Sequence, residues 1–284
     1  ITHILQREST GKYSPELVAG PGAVEDPNEV TVQGCDCQES ACVPPTCTCL
    51  PFGDNYIRRA VADVQRPVLE CNIMCKCSDS CANRETQTGL QFHLRVCGTP
   101  GKGWGVTAME DIPRGRFVCE YAGEVLHREE ACSRTRSLDR LAVNNYIIAV
   151  REHLHNGKVL QTIVDPTRIG NVGRFLNHSC QPNLFMLPVR THSMVVPRLA
   201  LFAARDISAG EELCYDYSGR SFNSAPDSAS GPGKPTSRKR CLCGTPPCSG
   251  YLPFDDWLCQ PETRQEHGSS CMDLHDPSAS PCVS

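Results

Sequence analysis

Gly34-Cys35-Asp36-Cys37-Gln38-Glu39-Ser40-Ala41-Cys42-Val43-Pro44-Pro45-Thr46-Cys47-Thr48-Cys49 opens a run of nine cysteines. After a gap of about twenty residues the run closes on Cys71, Cys75-Lys76-Cys77 and Cys81. Side chains one residue apart in an extended segment point to opposite faces. Such pairs suit thiolates that reach different members of a metal cluster better than they suit disulfides with each other. Nine is also odd, so any disulfide scheme leaves one thiol over. Three tetrahedral zincs need twelve thiolate positions, and nine cysteines fill them if three bridge two metals each.

A second set, Cys241-Leu242-Cys243 and Cys248, supplies three thiolates where a closed structural zinc takes four ligands. Spacing leaves two candidates for the fourth: Cys259 nearby, or Cys180 in Asn177-His178-Ser179-Cys180-Gln181-Pro182-Asn183. Cys180 would fold this module back over the body of the chain. Cys97, Cys119, Cys132 and Cys214 stand scattered in mixed or apolar segments, as free thiols do.

The 284 residues include 20 cysteines and carry a formal net charge of −4. Thiolate–zinc sites of the kind described would bring the holo form to about −9. That balance argues against a general nucleic-acid binder, so no direct sequence-specific nucleic-acid binding is expected, and it suits a basic partner such as a lysine-rich tail. No charged-then-apolar leader opens the chain, and no run approaches the length of a membrane span. With the metal-like cysteine grouping, this points to the reducing interior of the cell. The chain opens on Ile1, so a preceding segment is an open expectation.

Residues 1–34 carry few periodic apolar positions and read as an extended arm, and the cluster module fills 35–81. From 91 to 218 the pattern turns to short β-like runs with turn signals between them. Phe117–Tyr121, Asn145–Val150, Leu160–Val164 and Leu199–Ala203 are the expected strands. His155-Asn156-Gly157-Lys158 reads as a tight hairpin with positive φ at both central residues. Asp111-Ile112-Pro113-Arg114-Gly115 is echoed by Asp206-Ile207-Ser208-Ala209-Gly210. Only His127–Ala142 has helical content, charge-rich and surface-like. Residues 219–240, rich in Ser, Pro and Gly, read as a flexible linker, 241–255 as a metal module and 256–284 as a disordered tail.

Four motifs follow one another between the cysteine sets: Lys102-Gly103-Trp104-Gly105, Glu120-Tyr121-Ala122-Gly123-Glu124, Arg174-Phe175-Leu176-Asn177-His178-Ser179-Cys180 with Pro182-Asn183, and Glu211-Glu212-Leu213-Cys214-Tyr215-Asp216-Tyr217. In this order they resemble the pre-SET, SET and post-SET arrangement of histone-lysine methyltransferases, over about residues 15–255. The resemblance implies a mostly β SET fold of short curved sheets with a pseudoknot-like C-terminal segment. A three-zinc, nine-cysteine pre-SET cluster and a four-cysteine, single-zinc post-SET module would flank it.

It further implies that Lys102, Gly103, Trp104, Tyr146, Arg174, Asn177 and His178 contact S-adenosylmethionine. It makes Tyr217 the catalytic tyrosine, with Tyr121 lining the lysine channel and Tyr215 at a position where the family carries Phe or Tyr. It makes Cys180 the fourth post-SET ligand, and Cys35, Cys42 and Cys71 the bridging thiolates among Cys35, Cys37, Cys42, Cys47, Cys49, Cys71, Cys75, Cys77 and Cys81. The implied activity is methyl transfer to a histone H3 tail or nucleosome, by a nuclear, chromatin-associated enzyme. A monomer with no membrane partner is the separate expectation for the chain. Lysine 36 or lysine 4 is favoured over lysine 9. Tyr215 points to a mono- or dimethyl product, since a hydroxyl there holds a water where further methyl groups would sit. The alternative reading is a non-catalytic, zinc-held SET scaffold that binds histone tails. The presence of Tyr121, Asn177, His178 and Tyr217 together favours the enzyme.

Overall fold

The computed structural model describes residues 11–38, 42–141, 143–154, 156–218, 239–253 and 257–259. The expected linker (219–240) and tail (256–284) therefore lie outside the described residues, save for 239–240 and 257–259. The first ten residues of the expected arm also lie outside them.

The fold is mostly β, as its short β-branched and aromatic runs require. The larger sheet runs Leu94–Thr99, Gly103–Ala108, Glu212–Tyr215, Leu184–Arg190, Arg198–Ala203 and Phe117–Glu120. Val68–Leu69 joins it through the strand Leu184–Arg190. The smaller sheet runs Lys12–Tyr13, Val159–Gly170, Gly123–Val125 and Val18–Ala19, with Ile148–His153 on the flank of Val159–Gly170. Between them lies one apolar core that includes Val106, Val118, Val164, Leu176, Leu184, Leu201 and Leu213. The arm is thus no free extension over its described part: Lys12 pairs with Ile169, Val18 with Glu124, and Leu17 enters the core. Those pairings are made by backbone groups, which leave no side-chain periodicity to read.

The echoed Asp-Ile segments are spatial partners. Ile112 and Ile207 exchange both backbone hydrogen bonds, at 2.8 and 2.9 Å. Asp206 accepts from the Arg114 amide and Asp111 from the Ala209 amide, each at 2.8 Å. Gly115 and Gly210 close the two turns at φ of 78° and 92°, where any side chain would be strained. In the hairpin 154–158 only Gly157 takes positive φ among the described residues, so the two-residue form expected there is not the one adopted. That form occurs instead at Arg58-Arg59, with φ of 51° and 68° between Tyr56–Ile57 and Ala60–Val61. The expected strand 145–150 begins only at Ile148.

The helix Arg128–Leu141 buries only Ala131 among its described residues, so apolar packing does not explain its position. Arg134 does. Its guanidinium donates to Glu124 at 2.9 Å, Asp165 at 2.8 Å and Glu130 at 2.7 Å. Asp165 is 1% exposed and Glu124 7%, so removing the cation strands two buried carboxylates. Arg134→Met should therefore cost about 3 kcal/mol, read as a lower denaturant midpoint at unchanged slope.

Candidate active site and metal centres

The nine cysteines of 35–81 converge with no disulfide among them. Cys35 and Cys42 sulfurs lie 3.7 Å apart, Cys42 and Cys71 3.6 Å, Cys49 and Cys75 3.7 Å. Zn–S bonds of about 2.3 Å in a tetrahedron set neighbouring sulfurs about 3.8 Å apart, whereas a disulfide needs about 2.05 Å. The spacing fits zinc and excludes pairing. Three quartets lie within 4.8 Å: Cys35, Cys37, Cys42, Cys47; Cys35, Cys49, Cys71, Cys75; and Cys35, Cys42, Cys71, Cys77. Cys81 packs in the same cluster.

Around these thiols stand donors that spacing could not show. Arg84 is buried and donates to the carbonyls of Asn72 at 3.0 Å and of Cys71 and Cys77 at 3.4 Å. The Asn83 amide reaches Cys71 Sγ at 3.4 Å. Thiolates shared among too few metals leave net negative charge, and a buried guanidinium offsets it. Glu70, next to Cys71 and fully buried, accepts from Tyr56 O–H at 2.6 Å and from the Thr86 amide and Gln87 side chain at 2.8 Å. Burial holds its carboxyl above the usual carboxylate range. Tyr56 and Val68 pack with Phe117, Phe185 and Phe202, which seats the cysteine module on the larger sheet.

The second set is completed by Cys180: with Cys241, Cys243 and Cys248 it forms a quartet within 4.8 Å, and its sulfur lies 3.9 Å from that of Cys241. Cys259 is elsewhere. It forms a disulfide with Cys132, which corrects the expectation of a free thiol at Cys132. The two residues are 127 positions apart, so no local spacing signals the pair. Cys97, Cys119 and Cys214 are free thiols as expected.

The remaining motifs meet where Asn177–His178 lies parallel to Glu212–Tyr215, Asn177 beside Cys214 and His178 beside Tyr215. This is the pseudoknot-like crossing. Asn183 pins it, accepting from the Cys214 amide at 2.8 Å and donating to the Glu212 carbonyl at 2.9 Å. On one side a polar chain forms. Asn177 Nδ2 donates to the Trp104 carbonyl at 3.0 Å and to Glu212 at 2.9 Å, and Lys102 Nζ donates to Glu212 at 2.6 Å. Gly105 is obligatory beneath it, because a Cβ there would run into Thr99, Asn177 and Glu212. At Gly103, by contrast, φ is 81° and the place of a Cβ is open space.

On the other side three tyrosines gather. Tyr121 and Tyr215 rings meet edge-to-face at 6.1 Å, and Tyr215 and Tyr217 lie at 4.8 Å. Tyr121 O–H donates to the Tyr146 carbonyl and Tyr217 O–H to the Leu176 carbonyl, both at 2.6 Å. Burial pushes the Tyr121 and Tyr215 hydroxyls well above the ordinary tyrosine range and raises Tyr217 as well. Tyr217 is nonetheless 40% exposed, with its hydroxyl tied to the Leu176 carbonyl. All three phenols stay protonated at neutral pH. They can donate hydrogen bonds and line a wall, but none is a base. The Arg174 guanidinium lies 4.7 Å from the Tyr146 ring and 5.1 Å from that of Phe175, and its Nε is buried without a hydrogen-bond partner. His178 is buried against Tyr217, whose amide donates to its Nδ1 at 3.2 Å.

Family models agree with this arrangement. A SET domain matches residues 103–218 and a Pre-SET motif residues 5–84. A histone-lysine N-methyltransferase SETMAR from Bos taurus is 51% identical over 269 residues, 90% of this chain and 87% of that protein. The chain belongs to the SET-domain histone-lysine N-methyltransferases. The human SETMAR protein is 50% identical over 94% of this chain, which spans 40% of that protein's length. The crystal structure of the human SETMAR methyltransferase domain superposes with a TM-score of 0.76 at 50% identity, covering 86% of this chain and 90% of that one. KRYPTONITE in complex with mCHH DNA, H3(1-15) peptide and SAH superposes at 0.65 with 31% identity, over 86% of this chain and 48% of that one.

Within this SET domain one site residue escaped the sequence reading. Glu212 holds both Lys102 and Asn177, and the quoted Glu211-Glu212 pair gave no sign of which carboxylate turns inward. A cleft of about 180 Å³ opens beside it, lined by Lys102, Asn183, Glu212, Cys214 and Cys243 but by none of the three tyrosines. No helix among the described residues is long and apolar enough to cross a membrane.

Proposed function

We propose that the chain transfers methyl groups from S-adenosylmethionine to a lysine of histone H3, lysine 36 or lysine 4, to the mono- or dimethyl state, at chromatin in the nucleus. One observation carries the reading: the three protonated tyrosines, the Arg174–Tyr146 pair and the Asn177–Glu212–Lys102 chain meet at a single strand crossing. The relatives' names and the H3 peptide seen with KRYPTONITE support the histone substrate, and the SAH seen there supports the cofactor.

The residues present fit that cofactor. Gly103 leaves its backbone open to close approach, and the unpartnered Arg174 Nε offers a donor to an anionic group. Trp104 and Tyr146 supply aromatic surface, which a sulfonium favours. Lys102, Asn177 and His178 supply the polar contacts. When bound, S-adenosylmethionine supplies a methyl group on a positively charged sulfur, open to in-line attack by an amine. A lysine has an ordinary pKa of about 10.4, so its amine must lose a proton first. That proton passes to solvent water as the side chain leaves it: the wall of Tyr121, Tyr215 and Tyr217 disfavours the ammonium form, so the amine enters neutral. Their fixed hydroxyls then hold the amine in line.

The zincs would be structural. Cys35, Cys42 and Cys71 would be the shared thiolates, with Cys37 and Cys47, Cys49 and Cys75, and Cys77 and Cys81 completing the three sites. Cys180, Cys241, Cys243 and Cys248 would hold a fourth zinc.

Tyr215 tests the product state. It is buried, with its ring edge-to-face against that of Tyr121. Tyr215→Phe removes the hydroxyl that anchors a water beside the amine, so the variant should carry a histone peptide to higher methylation than the wild type. The check is the mass distribution of products in a time course run to completion; an unchanged distribution rules the role out.

A further inference from the structure

We propose that Cys132 and Cys259 are a redox-modification site: a reversible disulfide latch that holds the turn Trp257–Cys259 on the helix Arg128–Leu141 and thereby fixes Tyr146. It is the one disulfide among the described residues, with Cα atoms 5.2 Å apart. Both cysteines are half-buried, whereas Cys119 is fully buried. The thirteen metal-set cysteines stand apart, gathered around zinc-like spacings.

Leu258 is buried with Leu126, Ala131 and Ile163, and its carbonyl accepts from Arg128 Nε at 3.2 Å. The disulfide adds a covalent link to these contacts. Ile147 and Ala149 pack on that same cluster. Tyr146, one residue earlier, gives its carbonyl to Tyr121 and its ring to Arg174. The path from latch to channel wall is therefore Leu258, Ile147, Tyr146, Tyr121.

The exchange needs an oxidant, and a small disulfide such as oxidised glutathione suffices. One thiolate of the pair attacks it and expels one glutathione thiolate, forming a mixed disulfide. The second thiolate attacks the protein sulfur and expels the other. The pair gives up two protons and two electrons, and both appear on two reduced glutathiones. Excess reduced glutathione reverses the sequence.

The test uses the zinc-loaded full chain in glutathione buffers of graded ratio, with zinc content followed throughout. Thiols are blocked and the protein digested without reductant. Mass spectrometry should show a Cys132–Cys259 linked peptide that comes and goes with the ratio while zinc stays bound. On reduction, amide exchange across Ile147–Ala149 should rise, and the KM for a histone peptide should rise several-fold with a smaller change in kcat. Cys132→Ser and Cys259→Ser should sit at the reduced values in every buffer. The proposal is overturned if no linked peptide forms in any buffer that leaves zinc bound, or if it forms while exchange and KM stay unchanged. The KM arm rests on the methyl-transfer reading; linkage and exchange do not, so failure of that reading would leave them standing.

Discussion

Stripping zinc from the folded protein with a strong chelator under reducing conditions will unfold residues 35–84 and release the fold-back of 241–253. Structural zinc contributes about 10–16 kcal/mol per site in small modules, while a whole domain is stable by only about 5–15 kcal/mol. Away from Tyr56 and Val68, which pack on the larger sheet, the cysteine module has little apolar core. Its strands are two residues long, and its buried cluster is made chiefly of the cysteines themselves with Leu50. Without metal, the buried Arg84 would face thiols that no longer carry the charge it offsets. Near-total loss of methyl transfer should accompany the loss of about four zincs per chain, with the SET strands outlasting the flanking modules. Zinc release read by a chromogenic dye, limited proteolysis and circular dichroism together decide it. A chain that keeps its protease resistance and melting temperature with less than one zinc bound would refute the assignment of these thiols.

Tyr217→Phe should abolish most turnover while leaving the fold intact. The change deletes the O–H that tethers the ring to the Leu176 carbonyl at 2.6 Å. Released, the ring can shift against Tyr215 and His178, its neighbours at 4.8 and 5.3 Å. A misplacement of about 1 Å at a reacting centre costs on the order of 100-fold in rate, so kcat should fall by about that factor. Cofactor affinity should change little, since Lys102, Asn177 and Arg174 remain in place. Single-turnover kinetics beside a cofactor titration separate the two quantities. A variant that turns over like the wild type would remove Tyr217 from the chemistry.

Much of this architecture was legible in the sequence because its strongest signals are chemical rather than periodic. The cysteine spacings named the metal modules, and the ordered motifs named the fold before any strand was certain. Strands Phe117–Glu120 and Arg198–Ala203 stood out as buried apolar runs. The hidden features depend on partners far away in sequence. The arm's two-residue strands pair through backbone alone. Asn145–Ile147 looks as strand-like as Ile148–Val150, yet Asn145 Oδ1 accepts from the Ile147 amide at 2.9 Å and Tyr146 turns its carbonyl to Tyr121. Arg58-Arg59 takes a backbone form that Asn-Gly would favour, held by the ion pair from Arg59 to buried Glu85 at 2.9 Å. The inward turn of Glu212 and the meeting of Cys132 with Cys259 are likewise tertiary facts.

Methyl transfer to histone H3, proposed for the crossing of Asn177–His178 with Glu212–Tyr215, is the reading on which the rest depends. It is tested by mass spectrometry of recombinant nucleosomes and free histone H3, incubated with S-adenosylmethionine and the zinc-loaded chain, beside an Asn177→Ala control. The expected result is one or two methyl groups on a single H3 lysine, lysine 36 or lysine 4, from the wild type and none from the control. No methyl transfer to any histone by zinc-replete protein would overturn the histone substrate and leave a non-histone substrate or the scaffold, which a cofactor-binding titration separates.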